Sequence, residues 1–302
     1  MSLPSFLIVG AAKSGTTSLY YELNSNPEIG FPSLKEPKFF SSLNLKFPHC
    51  GPGDVSVDKY AVTNISEYKS LFENINGKVI GEISPDYLFY HESTIPNIKA
   101  ILGDIPIVII LRNPVDRAYS AYTYLVRDSR ETESFEMALK IEKDRLSKNY
   151  DFIWGYVACS EYYKQVKAYM DAFSKVKVII LEEYIIDKES TLESLSKFIG
   201  AEKCKINLER KKYNASGIPT NIFASFVLSR NNSFSLWLRW LLKKTIKREL
   251  LEKVSQRFMK KNNMDLATRL YLQDYFREDI KKMEVLLGRD LSIWSDQTSN
   301  GK

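Results

Sequence analysis

Four runs of apolar, largely β-branched residues punctuate the chain up to residue 184. They are residues 6–10 (FLIVG), 78–84 (KVIGEIS), 106–112 (PIVIILR) and 175–184 (KVKVIILEEY). Within each run the apolar residues are mostly continuous and do not alternate with polar ones. That pattern is typical of parallel strands covered on both faces, so the sequence predicts four strands at the centre of the fold.

Helical spacing of apolar residues characterises the segments between these runs. "SLYYEL", "VDRAYSAYTYLVRD", "SEYYKQVKAYMDAF" and "KESTLESLSKFIG" are predicted helices. Their alternation with the strands indicates an α/β fold with a doubly wound, mostly parallel sheet, in which ligands bind beyond the carboxyl ends of the strands. Residues 264–287 form a further predicted helix whose expected buried set is Leu266, Leu270, Tyr271, Tyr275, Ile280, Met283 and Leu287.

The chain shows neither an internal repeat nor a low-complexity linker, so we expect one domain over residues 1–302. Residues 41–77 are polar and rich in turn formers, and we expect an insertion of loops with a short helix. Residues 231–262 are predicted to form a basic amphipathic helical segment. Residues 295–302 are predicted to be a flexible tail.

Composition places the chain among globular proteins. With 302 residues, 44% apolar and 26% charged, it has enough apolar residues for a sizeable core. Its three cysteines, Cys50, Cys159 and Cys204, are far apart, which argues against a disulfide framework or a zinc site and predicts a cytoplasmic location. No run approaches the ~18 apolar residues of a membrane span, and the first apolar run is interpreted as a core strand, too short for export.

The net charge of +6 is concentrated in one segment. Nine Lys and Arg residues against two Glu residues lie between Arg239 and Lys261. The rest of the chain is near neutral, so a general nucleic-acid surface is not expected. With Trp237 and Trp240, residues 236–261 have three interpretations: a helix packed on the core, which we favour, a lid over an acceptor pocket, or peripheral contact with an anionic membrane.

The stretch "VGAAKSGTT" at residues 9–17 follows the first predicted strand and precedes a helix. Gly10 and Gly15 permit tight turns, and the free N–H groups of the helix start form an anion site. Lys13 adds a full charge, and hydroxyl donors are supplied by Ser14, Thr16, Thr17 and Ser18. The stretch predicts a loop that binds a 5′-phosphate or phosphosulfate; the alternative is an ordinary turn with an incidental lysine.

The third strand ends in a second candidate anion site, "ILRNPVDRAYSAY". Asn113 is a suitable N-cap and Pro114 a suitable first helical residue. Arg112 is left at the carboxyl end of a central strand, and Ser120 lies about two turns into the next helix. Together they are predicted to bind a second phosphate, separate from the first; the alternative is a surface arginine and a solvated serine.

These motifs, in order, resemble the sulfotransferases that use 3′-phosphoadenosine-5′-phosphosulfate (PAPS). The resemblance is carried by "VGAAKSGTTSLYYEL", "KEPKFF", "ISPDYL" and "LRNPVDRAYSAY", and is greatest to the heparan-sulfate (glycosaminoglycan) branch and its bacterial relatives. It extends over residues 5–220 and more weakly to Trp294. It implies a P-loop-like fold, PAPS as sulfuryl donor, PAP as product, and no metal. It also implies in-line transfer to a hydroxyl, or less readily an amine, with Lys13 at the bridging oxygen.

The resemblance also implies a base, which it places at Glu36 within "KEPKFF". An acceptor hydroxyl is a poor nucleophile unless a carboxylate takes its proton. The alternative is that Glu36 pairs with a lysine on a surface loop. Because other branches use a histidine, His91 is the second candidate, whereas His49 is expected to be structural or solvated.

The chain departs from the glycosaminoglycan branch near its end. No cysteine follows Cys204 and no Lys-Gly-Arg loop is present, so the contacts to the adenosine are unassigned, with Arg230 and later lysines as candidates. The acceptor therefore stays open among a small molecule, a saccharide and a lipid. Two other functions compete: a kinase with a variant phosphate loop, in which the lysine precedes the second glycine, and a non-catalytic nucleotide-binding scaffold.

Overall fold

A five-stranded parallel sheet forms the centre of the computed structural model, which describes residues 3–201 and 263–294 and the backbone of the pairs 218–219 and 259–260. The strands are β1 (Phe6–Gly10), β2 (Ile29–Gly30), β3 (Val79–Ile83), β4 (Ile107–Leu111) and β5 (Val176–Ile180), in the order β2-β3-β1-β4-β5. A separate antiparallel pair joins β6 (Ile218–Pro219) to β7 (Met259–Lys260). The predicted parallel α/β fold is confirmed.

Eleven helices are present in the described residues. They are α1 (Thr16–Leu23), α2 (Phe39–Ser42), α3 (Asp54–Asp58), α4 (Ile65–Ser70), α5 (His91–Leu102), α6 (Pro114–Arg127), α7 (Phe135–Ser147), α8 (Tyr162–Ala172), α9 (Leu181–Ile186), α10 (Lys188–Ile199) and α11 (Leu266–Leu287). The five helices that the sequence predicts correspond to α1, α6, α8, α10 and α11. None of the helices in this part of the chain is long and apolar enough to cross a membrane.

Both faces of the sheet are covered, as the continuous apolar runs predict. Leu7 and Val9 of β1 enter the hydrophobic cluster on one face, whereas Phe6 and Ile8 enter the cluster on the other. All five residues of β1 and all five of β4 are buried. Burial on both faces explains why neither strand shows a polar residue at alternate positions.

The order of the strands locates the binding crevice. The connection that leaves β1 goes toward β2 on one side of the sheet, while the connection that leaves β4 goes toward β5 on the other. Ligands of open parallel sheets bind at such a reversal, beyond the carboxyl ends of the strands. The loop after β1 and Arg112 after β4 both lie at this place.

Residues 41–77 pack closely against the domain. They contain α3 and α4, and Val62, Tyr68 and Phe72 are buried in the same hydrophobic cluster as Leu7 and Val9 of β1. The Tyr68 ring stacks on Phe39 with centroids 4.2 Å apart. This segment therefore supports the loop that carries Glu36, which lies just before Phe39.

The buried face predicted for α11 is wrong in part. Met283 is buried, but four members of the expected set are 44–65% exposed: Leu266, Leu270, Tyr271 and Tyr275. The buried face instead contains Thr268, Leu272, Phe276 and Met283. Polar anchors set this rotation, because Arg269 binds Asp116 at 2.7 Å and Asp279 accepts the Tyr162 N–H at 2.8 Å.

Some predictions fall outside the described residues. These predictions concern Arg230, the tail 295–302 and the basic segment 231–262, of which the structure describes β7 only. Trp294, where the sequence resemblance ends, is buried and its indole donates to Glu182.

Candidate active site

The loop between β1 and α1 has the backbone geometry of an anion site. Gly15 adopts φ +93°, and a Cβ there would lie 2.7 Å from a Leu181 methyl carbon, so the position favours glycine. Helix α1 starts at Thr16, and no side chain of the described residues caps it. Its first N–H groups are therefore directed at the loop with the positive end of the helix dipole behind them.

Lys13 lies in this loop, surrounded by cations. Its Nζ is 4.2 Å from the centre of the Tyr124 ring. Burial, followed by Arg127 and then by Arg112 and Arg117, lowers the pKa of Lys13 to about 7, although Asp128 opposes the shift. The side chain retains some solvent exposure, so we attribute the lowered pKa to the combination of partial burial and three guanidinium groups. An anion bound here would relieve that repulsion.

Arg112 reaches the same loop from the end of β4. Its Nη1 donates to the Lys13 carbonyl at 3.4 Å. The strand end is held by the Tyr162 hydroxyl, which donates to the Arg112 carbonyl at 3.0 Å, and by Asn113, whose Nδ2 donates to the Trp294 carbonyl at 2.6 Å. The structure thus brings Arg112 and Lys13 together, at adjacent strand ends of one sheet.

One stripe of α6 faces the loop. Arg117 Nε donates to the Ala12 carbonyl at 3.0 Å. Tyr124, about two turns later along α6, lies under the Lys13 ammonium. Ser120 falls between them at helical spacing, on the same stripe. Its side chain is partly buried, and its contact with a second phosphate stays a prediction.

Buried polar side chains beside the loop fit an anionic ligand. Ser14 is fully buried, and its hydroxyl interacts with that of Tyr162. Arg117 is also buried, and its Nη2 has no hydrogen-bond partner among the described residues. Because buried polar atoms are normally hydrogen-bonded, such a donor matches an oxygen-rich group such as a phosphosulfate.

Lys35 connects Glu36 to the loop. Its ammonium donates to Glu36 Oε1 at 2.6 Å and to Thr17 Oγ1 at 3.0 Å. The two oxygens can therefore be no more than 5.6 Å apart, the sum of those distances. Glu36 is 37% exposed, so its carboxylate is accessible beside the first turn of α1.

The neighbouring Lys38 belongs to a buried ion network. Its Nζ lies 3.3 Å from Asp151 Oδ2. Burial tends to lower the pKa of Lys38, but Asp151, Asp86 and Glu36 outweigh it and raise the pKa. Lys38 is therefore protonated and adds positive charge on the other side of Glu36.

The two histidines lie apart from the loop. His91 begins α5, and its Nδ1 is 3.2 Å from the Phe89 carbonyl; no hydrogen bond among the described residues joins it to the loop or to Glu36. His49 is buried, with its Nδ1 2.7 Å from Asp58 Oδ1. His49, Asp58 and Asp151 place possible metal ligands within 4.8 Å of one another, but Asp58 already binds His49 and Asp151 already binds Lys38, so we assign no metal.

The comparison with known families matches this geometry. A family model described as "Sulfotransferase domain" matches residues 3–284. The chain belongs to the sulfotransferase domain family. The family predicted from the motifs is confirmed.

Individual sulfotransferases show the same relationship. The crystal structure of a sulfotransferase from Alicyclobacillus acidocaldarius has 32% identity and a TM-score of 0.78, covering 98% of this chain and 100% of that one. The membrane-associated sulfotransferase kil1 of Dictyostelium discoideum is 30% identical over 173 residues, 55% of this chain and 33% of that protein. The bifunctional heparan sulfate N-deacetylase/N-sulfotransferase 1 of Mus musculus is 25% identical over 314 residues, 96% of this chain and 30% of that protein. The chain spans about a third of the length of these two curated relatives.

Three residues that contact the loop were not singled out from the sequence. They are Lys35, Arg117 and Tyr124. The spacing of Arg117, Ser120 and Tyr124 at i, i+3 and i+7 is a usable signal, since it puts all three on one face. For Lys35 we find no signal, because its contact with Thr17 joins segments 18 residues apart.

Proposed function

We propose that the protein transfers the sulfuryl group of PAPS to a hydroxyl, less readily an amine, of a saccharide, small-molecule or lipid acceptor. Lys13 stabilises the leaving phosphate and Glu36 is the base. The observation that carries the proposal is the Lys35 bridge, which keeps Glu36 Oε1 within 5.6 Å of Thr17 Oγ1. A base for the acceptor must lie beside the donor group, and Glu36 meets that requirement.

The proposed donor site uses the loop, the start of α1 and the stripe on α6. The 5′-phosphosulfate would be held by Lys13, Ser14, Gly15, Thr16, Thr17 and Ser18, and the 3′-phosphate by Arg112 and Ser120. PAPS supplies an activated sulfuryl group bonded to a phosphate oxygen. The buried Ser14 hydroxyl and the cluster of cations around Lys13 support this assignment.

In the proposed step, Glu36 takes the proton of the acceptor hydroxyl as that oxygen bonds to sulfur. Lys13 neutralises the charge that develops on the bridging oxygen as the bond between sulfur and that oxygen breaks. Lys35 orients the Glu36 carboxylate toward the loop. The products are the sulfated acceptor and PAP, and the proton stays on Glu36 until solvent removes it. Catalysis of this kind depends on positioning and electrostatics.

The acceptor class is proposed from the family. The curated relatives include proteins named carbohydrate sulfotransferase 15 and heparan sulfate glucosamine 3-O-sulfotransferase 3B1, so a saccharide hydroxyl comes first and a small molecule second. We propose a cytoplasmic location, because both cysteines in the described part of the chain, Cys50 and Cys159, are free thiols.

Binding of PAP provides the direct test of the donor site. At about a hundredfold excess over its Kd, PAP should raise the melting temperature by roughly 5 °C, while ATP with Mg²⁺ should give no comparable shift.

Arg112→Ala should weaken PAP binding about tenfold or more, since a charged hydrogen bond is lost. Arg277→Ala removes an exposed arginine and should bind PAP like the wild type. If ATP with Mg²⁺ raises the melting temperature and PAP does not, the result would indicate the kinase function.

The lowered pKa of Lys13 predicts that PAP binding takes up a proton. In the free protein Lys13 is neutral above about pH 7, and a bound anion favours the ammonium. PAP affinity should therefore be constant just below pH 7 and fall as pH rises above it, by up to about tenfold per unit. Calorimetry at pH 8 in two buffers of different ionisation enthalpy should show uptake of nearly one proton, and Lys13→Met should abolish it. Equal heats in both buffers for the wild type would contradict the prediction.

A further inference from the structure

A fully buried carboxylate, Glu82 of β3, lies beneath the segment that carries Glu36. Its Oε1 accepts hydrogen bonds from the Tyr87 hydroxyl at 2.7 Å and the Ser84 hydroxyl at 2.8 Å, and its Oε2 from the Tyr68 hydroxyl at 2.5 Å. Burial raises the pKa of Glu82 to about 7, and these three bonds oppose the rise. Burying a carboxylate costs free energy that an apolar residue would not. Its presence here therefore points to a role that an apolar residue cannot fill.

Two of these hydroxyls also bind the backbone of residues 35–40. Ser84 Oγ accepts the Lys38 N–H at 3.1 Å, and Tyr87 Oη accepts the Phe40 N–H at 3.2 Å. A backbone N–H can only donate, so each hydroxyl proton must be directed elsewhere. Glu82, an acceptor for both protons, fixes the direction in which both hydroxyls present their lone pairs.

The segment needs this support because of its backbone conformation. Glu36 has φ +60° and Lys38 has φ +55°, in the left-handed region that costs a side-chain-bearing residue free energy. The bonds to the Lys38 and Phe40 N–H groups lie within and just after this turn. Loss of either bond would allow the turn to relax and the Glu36 carboxylate to move away from Thr17.

We infer that Glu82 is a positioning residue for sulfuryl transfer: through Ser84 and Tyr87 it holds the turn that presents Glu36 to the donor site. The inference rests on the proposed function, because it assumes that Glu36 is the base. Glu82 itself touches neither the loop after β1 nor the donor, and its effect is confined to the turn.

Glu82→Gln tests the inference. The amide keeps the shape of the side chain, but its NH₂ group replaces one carboxylate oxygen and cannot accept a hydrogen bond from the hydroxyl that faces it. Hydrogen exchange followed by mass spectrometry should show at least tenfold faster exchange at residues 35–41. The rate of radiolabelled sulfuryl transfer from PAPS to an acceptor hydroxyl should fall at least tenfold, with the Kd for PAP changed less than twofold. Glu131→Gln is the matched control: Glu131 is also buried, accepts from Tyr156 at 2.7 Å, and has no bond to this segment. It should leave exchange at 35–41 unchanged.

A double-mutant cycle separates the inference from the proposed function. If Glu82 acts through Glu36, then adding Glu82→Gln to Glu36→Gln should lower the remaining rate less than twofold. The inference would be overturned if the rate losses of the two single variants multiply in the double variant. It would also be overturned if a folded Glu82→Gln variant shows unchanged hydrogen exchange at residues 35–41. A Glu36→Gln variant with the wild-type rate would instead overturn the choice of base. Should Glu82→Gln fail to fold, Ser84→Ala removes the bond to the Lys38 N–H together with the Ser84 bond to Glu82, and keeps the bond from the Phe40 N–H to Tyr87. The same outcomes apply to that variant.

Discussion

Lys13→Ala should reduce turnover by about a hundred- to a thousandfold, the usual effect of removing one preorganised group that stabilises transition-state charge. In the proposed mechanism the leaving phosphate gains charge as the bond to sulfur breaks, and Lys13 is the loop lysine proposed to meet it. Binding of PAP should weaken less than turnover, since the backbone N–H groups and hydroxyls of the loop remain. The loss should therefore be greater in kcat than in affinity.

The stability of the fold should be unchanged or higher in this variant. The pKa of Lys13 is lowered from 10.5 to about 7 in the folded protein. Below about pH 7 the folded protein therefore carries the costly ammonium form in full, and the folding stability contributed by this group rises between pH 7 and 10.5. Alanine removes that penalty and keeps the same backbone strain at φ +71°. The turnover loss can thus be separated from unfolding.

Two quantities are measured: the rate at which the radiolabelled sulfuryl group of PAPS is transferred, and the melting temperature. Each is compared with the value for Lys59→Ala. Lys59 is an exposed lysine of the segment 41–77, and its loss should affect neither. A Lys13→Ala variant that retains the wild-type rate would remove Lys13 from the proposed mechanism. A wild-type protein that binds PAP but shows no transfer would favour the non-catalytic scaffold.

Much of the fold could be predicted because its causes are local. Strands such as Ile107–Leu111 are apolar at every position since both faces are covered, and the Asn113–Pro114 start of α6 is a local signal that the structure reproduces. Strand β2 was missed because two residues carry no pattern. Helix α5 was missed although it is twelve residues long, and it contains Pro96, which weakens any helical signal.

What could not be predicted depends on contacts between distant segments. The rotation of α11 is set by partners such as Asp116, more than 150 residues away, and Leu and Tyr residues on both of its faces gave no preference. The site shows the same division. The motif around Lys13 was evident, but the cations that lower its pKa and the bridge from Lys35 to Thr17 exist only after folding.

Glu36→Gln should reduce turnover by about a hundred- to ten-thousandfold, the range for loss of a general base. The amide keeps the size of the side chain and its carbonyl oxygen can still accept the bond from Lys35, so the position of the loop is preserved. The amide cannot take a proton, however. Affinity for PAP should change less than about threefold, because among the described residues Glu36 is linked to the proposed donor site through the Lys35 bridge to Thr17.

His91→Gln is the decisive comparison, because His91 is the other candidate base. Its ring is bonded locally to the Phe89 carbonyl, so we expect a change in turnover below about threefold. Glu92→Gln, at the exposed position next to His91, controls for the change of a polar side chain at the start of α5. All three variants are assayed by sulfate transfer from radiolabelled PAPS to an acceptor selected from a panel of saccharides and phenols.

The pattern of results assigns the base. A large loss in Glu36→Gln with a small one in His91→Gln supports the carboxylate, and the reverse pattern would transfer the role to the histidine. If both variants keep the wild-type rate while Lys13→Ala loses it, the acceptor must ionise without help from either residue, as a phenol of low pKa can. Repeating the assay with an alkyl hydroxyl then separates the cases, since an alcohol with a pKa far above 7 requires the base that a phenol does not.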